Sequence, residues 1–274
     1  MNSVSRSLGT PAAAVPAARL GDDAVVLGGR VVLALLLLLG WEWAARRLGL
    51  LYLAGPLDVA VRSWELARSG ELLRHTAATL AATFLGFGIG WVAGTLLPFV
   101  LLRSPRVTAA VEPWIIASMG IPKFALTPLL ILWFGIGLTP KVVVVAFMVF
   151  YMIFLNTFAG LRSVDPRLTR MAQVVGANRR QLARRVLWPS MQPFVLSGLK
   201  ISLPRALSAA IVGEFLVADQ GLGHYIEHAR QAGDTVGVFT GIALVTLLVM
   251  GLNAVLVAWE GHVLAWRAMR ETAL

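Results

Sequence analysis

The sequence contains several apolar stretches that are long enough to cross a lipid bilayer. A membrane-spanning helix needs about 20 predominantly apolar residues, because each residue adds about 1.5 Å to its length. Six such stretches lie approximately at residues 31–45, 76–102, 111–134, 140–161, 191–217 and 238–258. Charged residues make up only 14% of the chain, whereas soluble domains contain about 25%. We therefore predict an all-α integral membrane protein with about six transmembrane helices.

The composition also excludes several kinds of site. The chain has no cysteine, which excludes disulfides, thiolate catalysis and cysteine metal ligands. It contains no phosphate-binding loop and no catalytic constellation, so we expect neither enzyme activity nor a bound cofactor. His224 and His228 lie four residues apart, but too few further ligands lie nearby to predict a metal site. The net charge of +10 indicates arginine-rich inner loops rather than nucleic-acid binding, since the basic residues cluster beside the apolar stretches.

The longest polar insert between apolar stretches predicts a helical hairpin at residues 165–189. Asp165 followed by Pro166 is typical of a helix N-terminus, and Gly176 ends that first helix. Asn178 and Gln181 resemble a capping box for a second helix, and Pro189 is predicted to stop it. The two helices share an apolar face and a basic surround; the face comprises Leu168, Met171, Ala172, Val175, Leu182, Ala183, Val186 and Leu187.

Two interpretations of this insert remain open from the residues alone. A solvated cytoplasmic loop that obeys the positive-inside rule would account for its arginines. It would not account for two capped helices with an apolar face around a glycine. A docking element would, because a groove on a partner protein buries such a face while the arginines orient it.

This insert resembles the cytoplasmic EAA loop of ATP-binding-cassette (ABC) importer permeases, in which a glycine precedes an I-x-L-P sequence by nine residues. Arginine replaces the glutamate of the family pattern, and Trp188 replaces its leucine. The resemblance implies a coupling loop at residues 165–190 that docks into a cleft on the ATP-hydrolysing subunit. Its motif positions are Arg170, Met171, Ala172, Gly176, Ala177, Val186 and Pro189.

A second segment, IPKFALTPLLILWFGIG at residues 121–137, resembles the permease subfamily that imports aliphatic sulfonates, taurine, nitrate and some pyrimidine vitamin precursors. The resemblance covers about residues 55–265. It implies the type I importer permease fold, with a pathway between two copies of the chain, an ATPase pair that binds ATP and Mg²⁺, and an external binding protein. A small anion such as a sulfonate is the first expected solute; a pyrimidine precursor or an aromatic carboxylate is the alternative.

The remaining segments complete the predicted organisation. Residues 1–29 are interpreted as a disordered cytoplasmic tail, with a signal peptide as the disfavoured alternative, and residues 30–274 as the permease domain. Residues 46–75 are amphipathic and predict an external helix at the membrane surface. Glycines at 86, 90 and 94 form a ridge that would let another helix approach closely. Three prolines, at 113, 122 and 128, predict a kinked or broken third span.

Four polar or aromatic residues within the spans are candidates for the translocation path: Lys123, Trp133, Asn156 and Glu214. A charge at bilayer depth is costly unless it is paired or faces water, so an ionisable residue there indicates function. Glu214 lies near the outer end of the fifth span and suits either an outer gate or a hydrogen bond to a neighbouring helix. Packing is the alternative role for Lys123 and Trp133.

The distribution of arginines predicts a multi-pass protein of the bacterial inner membrane with both termini in the cytoplasm. The arginines of residues 46–75 oppose this orientation. A channel or an ion-coupled secondary transporter is the alternative from a different class, because such proteins also contain broken helices and buried carboxylates. The basic hairpin decides between them, since an ion-coupled protein has no ATPase to dock.

Overall fold

A computed structural model describes residues 20–216 and 219–271, and the side chains of residues 25–216 and 219–258. All regular structure in these ranges is helical. The helices are α1 (Leu20–Leu48), α2 (Pro56–Ser69), α3 (Glu71–Leu101), α4 (Pro105–Ser118), α5 (Thr127–Phe134), α6 (Leu138–Arg162), α7 (Pro166–Val174), α8 (Arg179–Leu182), α9 (Trp188–Leu216), α10 (Leu222–Gln231) and α11 (Thr235–Glu271). A 3₁₀ turn at Lys123–Leu126 precedes α5, and a π-helical turn at Ala183–Leu187 joins α8 to α9.

The number of spans agrees with the sequence. Among the described residues, five helical stretches are long and apolar enough to cross a membrane, or six if α4 and the 3₁₀–α5 segment, which are bent by 85° relative to each other, count as one span. Pro122 accounts for this break, since its own backbone is extended (ψ 101°) where the 3₁₀ turn begins and a proline disfavours helical geometry in the residue before it. Pro113 and Pro128 lie inside α4 and in the first turn of α5.

The glycine ridge of α3 packs directly against α6, as the spacing predicts. A Cβ atom placed on Gly86 would lie 2.5 Å from the Cβ of Val145, and one on Gly90 would lie 2.5 Å from the carbonyl oxygen of Ala146. Helix α9 packs against both α6 and α3. The three helices form the main buried core of the described residues. Backbone contact of this kind is available only to residues without a side chain.

Two ends of this three-helix core matter for function. At the first, which we call the hairpin end, α6 leads into α7 and α8 leads into α9. At the other, the opposite end, the N-termini of α3 and α6 meet the C-terminus of α9 and the loop that precedes α10. Because α6 and α9 are antiparallel neighbours, each runs from one end to the other.

The interpretation that Pro189 ends the second hairpin helix is wrong. The chain is helical without interruption from Arg179 to Leu216, a stretch of 38 residues. In the π-helical turn the N–H of Trp188 bonds to the carbonyl of Ala183, five residues earlier. This wider turn accommodates a proline ring that would collide with the preceding turn of a regular α-helix.

The predicted boundary of the N-terminal tail at residue 29 is also wrong for the described part of the chain. Residues 20–29 belong to α1, because Val25, Val26 and Leu27 extend the apolar stretch of the first span. Residues 1–19 lie outside the described residues. The amphipathic segment at 46–75 is divided between the end of α1, the separate helix α2 and the first turn of α3.

Candidate coupling hairpin and buried polar cluster

The hairpin of α7 and α8 forms through the local contacts that its sequence predicts. The carboxylate of Asp165 accepts a hydrogen bond from the N–H of Arg167 at 2.8 Å. The side chains of Asn178 and Gln181 each accept a bond from the other residue's backbone N–H, both at 2.9 Å. Gly176, between the helices, has φ +79°, a conformation that costs other residues about 1–2 kcal/mol. Both predicted helix starts and the glycine break are confirmed.

An exposed apolar surface follows from this geometry. Met171, Val174 and Val175 are 67%, 87% and 82% exposed, and Leu168 beside them is 47% exposed. The other motif positions are divided by burial: Arg170, Gly176 and Pro189 are exposed, and Ala172, Ala177 and Val186 are half-buried. We call Leu168, Met171, Val174 and Val175 the apolar stripe. A hydrophobic stripe on a short loop between arginines marks a protein contact surface.

Packing at the base of the hairpin holds it against the membrane core. Trp188 lies 6.3 Å from Phe99 of α3, measured between ring centroids. Leu187 packs against a buried cluster of Leu161, Met191 and Val195, which joins α6 to α9. The base of the hairpin is therefore packed against α3, α6 and α9.

Lys123 lies at the break in the third span. Its Nζ donates to the carbonyl of Met119 and lies 4.7 Å from the centroid of the Tyr151 ring. The Tyr151 hydroxyl in turn lies 2.8 Å from Ser118 Oγ, whose own proton goes to the Ile115 carbonyl. Within the described ranges no carboxylate forms an ion pair with Lys123. A carbonyl oxygen and an aromatic ring face are thus the contacts of the Lys123 Nζ at the broken helix.

The four candidate path residues occupy separate places. Trp133, on α5, is 64% exposed. Asn156 donates to the carbonyl of Met152 on its own helix and lies beside Gly198 of α9. Glu214 lies at the opposite end and is 1% exposed. A single subunit does not bring these side chains and Lys123 together into one cavity.

Glu214 is the centre of a buried polar cluster. Its Oε2 accepts hydrogen bonds from the Thr79 hydroxyl and from the N–H of Gly223, both at 2.9 Å. The Thr79 oxygen accepts from the N–H of Leu222 at 2.9 Å. The carboxylate therefore connects α9 both to α3 and to the start of α10.

Two further side chains complete the cluster. Nδ1 of His75 accepts from the N–H of Gly221 at 3.2 Å, which leaves the proton of the neutral imidazole on Nε2. Nζ of Lys141 donates to the carbonyl of Gln220 at 3.1 Å. No local sequence pattern indicates this role for His75, Thr79 or Lys141. Their partners lie 79 to 146 residues away along the chain.

A polar cleft of about 390 Å³ opens beside this cluster. It lies between α2, α3 and α10, and its lining includes Arg62, Arg74, His75, Asp219, His224 and His228. Adjacent histidine rings are 6.1 and 6.3 Å apart between centroids. Within the described part of the chain no three histidine or acidic side chains are arranged to hold a metal ion. Because Nδ1 of His75 accepts a hydrogen bond and Nε2 carries the ring proton, neither nitrogen has a lone pair available for a metal ion in the cleft.

An ion pair closes one side of the cleft. Arg62 of α2 bonds to Asp234, between α10 and α11, at 2.7 Å. Burial alone would raise the pKa of Asp234, but hydrogen bonds from the Gly237 N–H and the Arg62 guanidinium lower it below its usual value overall. The pair holds α2 against the α10–α11 connection.

Taken together, these features define a class of protein. A multi-pass helical core with a broken span, and a capped hairpin that presents apolar and basic groups, is the architecture of a transport subunit driven from outside the membrane by a partner. The chain belongs to the family of binding-protein-dependent transport system inner membrane components, whose model matches residues 86–266. It is therefore a permease subunit of an ABC importer and not an enzyme. An ATPase and a substrate-binding protein are its implied partners, and the ion-coupled alternative is excluded.

Relatives of known name agree with this assignment. The chain is 37% identical to the formylaminopyrimidine transport permease protein ThiX of Halalkalibacterium halodurans over 85% of its length and 93% of the relative. It is 37% identical to the riboflavin transport system permease protein RibX of Chloroflexus aurantiacus over 88% of its length and 90% of the relative. It is 31% identical to the putative aliphatic sulfonates transport permease protein SsuC of Bacillus subtilis over 79% and 78%.

A solved structure confirms the fold. An inward-facing crystal form of the MetNI methionine ABC transporter contains a chain that superposes with a TM-score of 0.56. The match covers 70% of this protein and 93% of that chain, at 21% sequence identity. At this identity the likeness establishes the architecture alone.

Proposed function

We propose that the hairpin of α7 and α8 docks into a cleft of a cytoplasmic ATPase subunit, and that ATP-driven movement of that subunit is transmitted through α6 and α9. ATP and Mg²⁺ bind on the ATPase, and this chain binds no cofactor. The hairpin end then lies in the cytoplasm together with both chain termini. The opposite end receives solute from an external binding protein.

The apolar stripe is the observation that carries this proposal. Val174 and Val175 are more than four-fifths exposed on a hairpin that its caps hold in one conformation. Exposure of such a surface to water is unfavourable. Its burial in a complementary groove lowers the free energy by about 25 cal/mol for each Å² of apolar area that is removed from water. Arginines around the stripe supply orientation, because guanidinium groups pair with carboxylates in fixed geometry.

The experiment compares two glutamates placed two residues apart on α7: Met171→Glu in the stripe and Gln173→Glu outside it. Both positions are exposed, and they point about 160° apart on a helical wheel with 3.6 residues per turn. Met171→Glu should abolish co-purification of the ATPase from detergent-solubilised membranes, while Gln173→Glu should retain it. Equal retention by both variants would remove the stripe from the interface.

The transported solute is proposed to be a small anion. Lys123 supports this, because its ammonium group at the broken span contacts only a carbonyl and an aromatic face within the described residues. Such a cation can pair with a carboxylate or a sulfonate in transit. The relative SsuC is named for aliphatic sulfonates. A pyrimidine precursor is the second candidate, favoured by the relative ThiX, which is named for formylaminopyrimidine transport.

Uptake into proteoliposomes that contain the full transporter distinguishes these solutes. The probes are ethanesulfonate, a simple anionic aliphatic sulfonate, and formylaminopyrimidine, each with the external binding protein at saturating concentration. If the solute is anionic, Lys123→Met should reduce ethanesulfonate uptake at least about fivefold, the equivalent of about 1 kcal/mol, and Lys123→Arg should restore it. Uptake of formylaminopyrimidine alone, unaffected by Lys123→Met, would establish the second candidate.

Two copies of the chain are proposed to enclose the pathway. Leu132, Trp133 and Phe134 of α5 are 79%, 64% and 50% exposed, so the broken span has an apolar face that the subunit itself does not cover. A second copy of this face would cover it near the break. Because the chain has no native cysteine, Trp133→Cys provides a single thiol. Disulfide-linked dimers should form on oxidation in membranes, and their absence would place α5 against lipid.

A further inference from the structure

Beyond docking and solute class, the structure shows how the loop before α10 is fixed to the transmembrane core. Three consecutive backbone N–H groups, those of Gly221, Leu222 and Gly223, bond to the side chains of His75, Thr79 and Glu214. The carbonyl of the residue before them, Gln220, bonds to Lys141. We call the four side chains, His75, Thr79, Lys141 and Glu214, the loop latch. Four backbone groups in a row are thus bound by three different helices.

The contact between loop and latch leaves no space for a side chain. A Cβ atom on Gly221 would lie 2.1 Å from the carboxyl carbon of Glu214, and Gly221 also has φ +129°. A Cβ atom on Gly223 would lie 2.4 Å from the carbonyl oxygen of Ile211. The loop backbone is therefore pressed directly onto the end of α9, and hydrogen bonds of 2.9–3.2 Å hold residues 220–223 there.

The burial of the latch makes it costly to open. Thr79 and Glu214 are at most 1% exposed, Lys141 is 3% exposed, and His75 is 7% exposed. Separation of the loop from the core would break the hydrogen bonds of Thr79, Lys141 and Glu214, which is unfavourable for buried polar groups. The latch should therefore stay closed under conditions that move exposed loops.

The position of the latch gives it a mechanical role. Helices α6 and α9 begin or end at the hairpin, and each contributes one latch residue at its other end, Lys141 and Glu214. Helix α3 contributes the remaining two. The same helices that receive force from the hairpin are thus bound together, and to α10, at the opposite end.

We propose that the loop latch remains closed throughout the transport cycle and makes α10 move as one body with α3, α6 and α9. In this proposal Glu214 and Thr79 are positioning residues: they place α10 at the opposite end rather than contact the solute. Movement of the hairpin then becomes movement of α10 at the face where the binding protein arrives.

Thiol labelling of the reconstituted transporter tests whether the latch opens. Leu222 is 2% exposed and contributes only its backbone N–H to the latch, so Leu222→Cys in this cysteine-free chain reports opening without the loss of a latch bond. Gln231→Cys, exposed on the same helix, is the reference for free access. Labelling of Leu222→Cys by a membrane-impermeant maleimide should be slow in the apo, ATP-bound and vanadate-trapped states alike.

Three variants at two threonines then test whether Thr79 controls the latch. Thr79→Val removes the bonds to Glu214 and Leu222 and should raise the labelling rate of Leu222→Cys about 5- to 150-fold; Thr79→Ser should restore the slow rate. Thr95→Val is the matched control, because Thr95 lies on the same helix and is buried, but its hydroxyl has no hydrogen-bond partner among the described residues. Thr95→Val should leave the rate unchanged.

A functional readout separates positioning from a general loss of stability. The external binding protein, added as purified from cells, should stimulate ATP hydrolysis less in Thr79→Val than in Thr95→Val, with recovery in Thr79→Ser. Fast labelling of Leu222→Cys in any one nucleotide state of the otherwise unaltered chain would overturn the proposal, because the latch would then open during the cycle. Equal labelling and equal stimulation in Thr79→Val and Thr95→Val would also overturn it. The stimulation readout rests on the proposed coupling to an ATPase, whereas the labelling rates of Leu222→Cys in the apo state do not, so failure of the latch and failure of docking are distinguishable.

Discussion

The contact between α3 and α6 leads to a sharp prediction about three glycines on one helix. Gly90 should not tolerate even a methyl group, because a Cβ atom there would lie 2.5 Å from the carbonyl oxygen of Ala146 and 2.8 Å from the Cβ of Val149. Gly88, two residues earlier, has no atom within 4 Å of its Cβ position. Gly90→Ala and Gly88→Ala therefore introduce the same methyl group into the same helix, once against a backbone and once into open space.

The size of the effect follows from these distances. Close contacts between carbon and a carbonyl oxygen occur at about 3.3–3.6 Å, so in Gly90→Ala the α6 backbone must withdraw by about 1 Å. Withdrawal loses attractive contacts along the helix pair, since a gap of 0.5–1 Å forfeits a quarter to a half of each contact energy. Overpacking of this kind costs about 1–3 kcal/mol. The nearest atom at Gly90 belongs to the backbone of α6, so a change of rotamer cannot relieve the contact.

Unfolding by SDS in mixed micelles measures this difference. The chain contains nine tryptophans, whose fluorescence reports the transition without a label. Gly90→Ala should be less stable than Gly88→Ala by about 1–3 kcal/mol, a five- to 150-fold change in the folded-to-unfolded ratio. Gly86→Ala should resemble Gly90→Ala, because its Cβ would lie 2.5 Å from that of Val145. Equal stability of Gly90→Ala and Gly88→Ala would refute the argument that the ridge requires glycine.

Three further predictions concern the hairpin and the cleft. Gly176→Val should destabilise the hairpin by about 1–2 kcal/mol because its φ is +79°, and co-purification of the ATPase should fall accordingly. Asn178→Ala should lose about 1 kcal/mol of cap stability, which faster amide exchange in the first turn of α8 would report. The Arg62–Asp234 pair is part-exposed, at 41% and 32%, so a double-mutant cycle should give at most about 1 kcal/mol. Because the pKa of Asp234 is lowered in the folded chain, that coupling should be complete at pH 7 and should fall as the pH drops below about 4, the unfolded value.

The hairpin could be predicted from the sequence because its structure depends on neighbours in the chain. Asp165, Gly176, Asn178 and Gln181 form contacts within three residues, or adopt a backbone conformation that their own residue type permits. Three of the four residues of the apolar stripe, Leu168, Met171 and Val175, followed from helical spacing; Val174 did not, and Ala172, which that spacing included, is half-buried. The prediction that Pro189 ends the second helix was wrong for the same reason. Proline disfavours the interior of a helix, and the π-helical turn that accommodates it here has no comparable sequence signal.

The loop latch could not be identified in the same way, although its members are visible in the sequence. Thr79, Lys141 and Glu214 are isolated polar residues close to the ends of apolar stretches. A charged side chain at such a position needs a partner, so the sequence requires contacts without indicating which ones. The hydrogen bonds of Thr79 and of Gly221 span more than 130 residues, a distance over which residue spacing carries no information.

Span direction supplies the missing signal. Successive spans cross the membrane in opposite directions, so the start of the second span, the start of the fourth and the end of the fifth all lie at one membrane face. Thr79, Lys141 and Glu214 occupy these three positions in turn, and the glycine ridge already brings the second span against the fourth. Topology combined with the cost of unpaired polar groups therefore predicts one shared cluster at the face opposite the hairpin. The identity of its common partner, the backbone of a short glycine-containing loop, emerges only when the three helices are packed together.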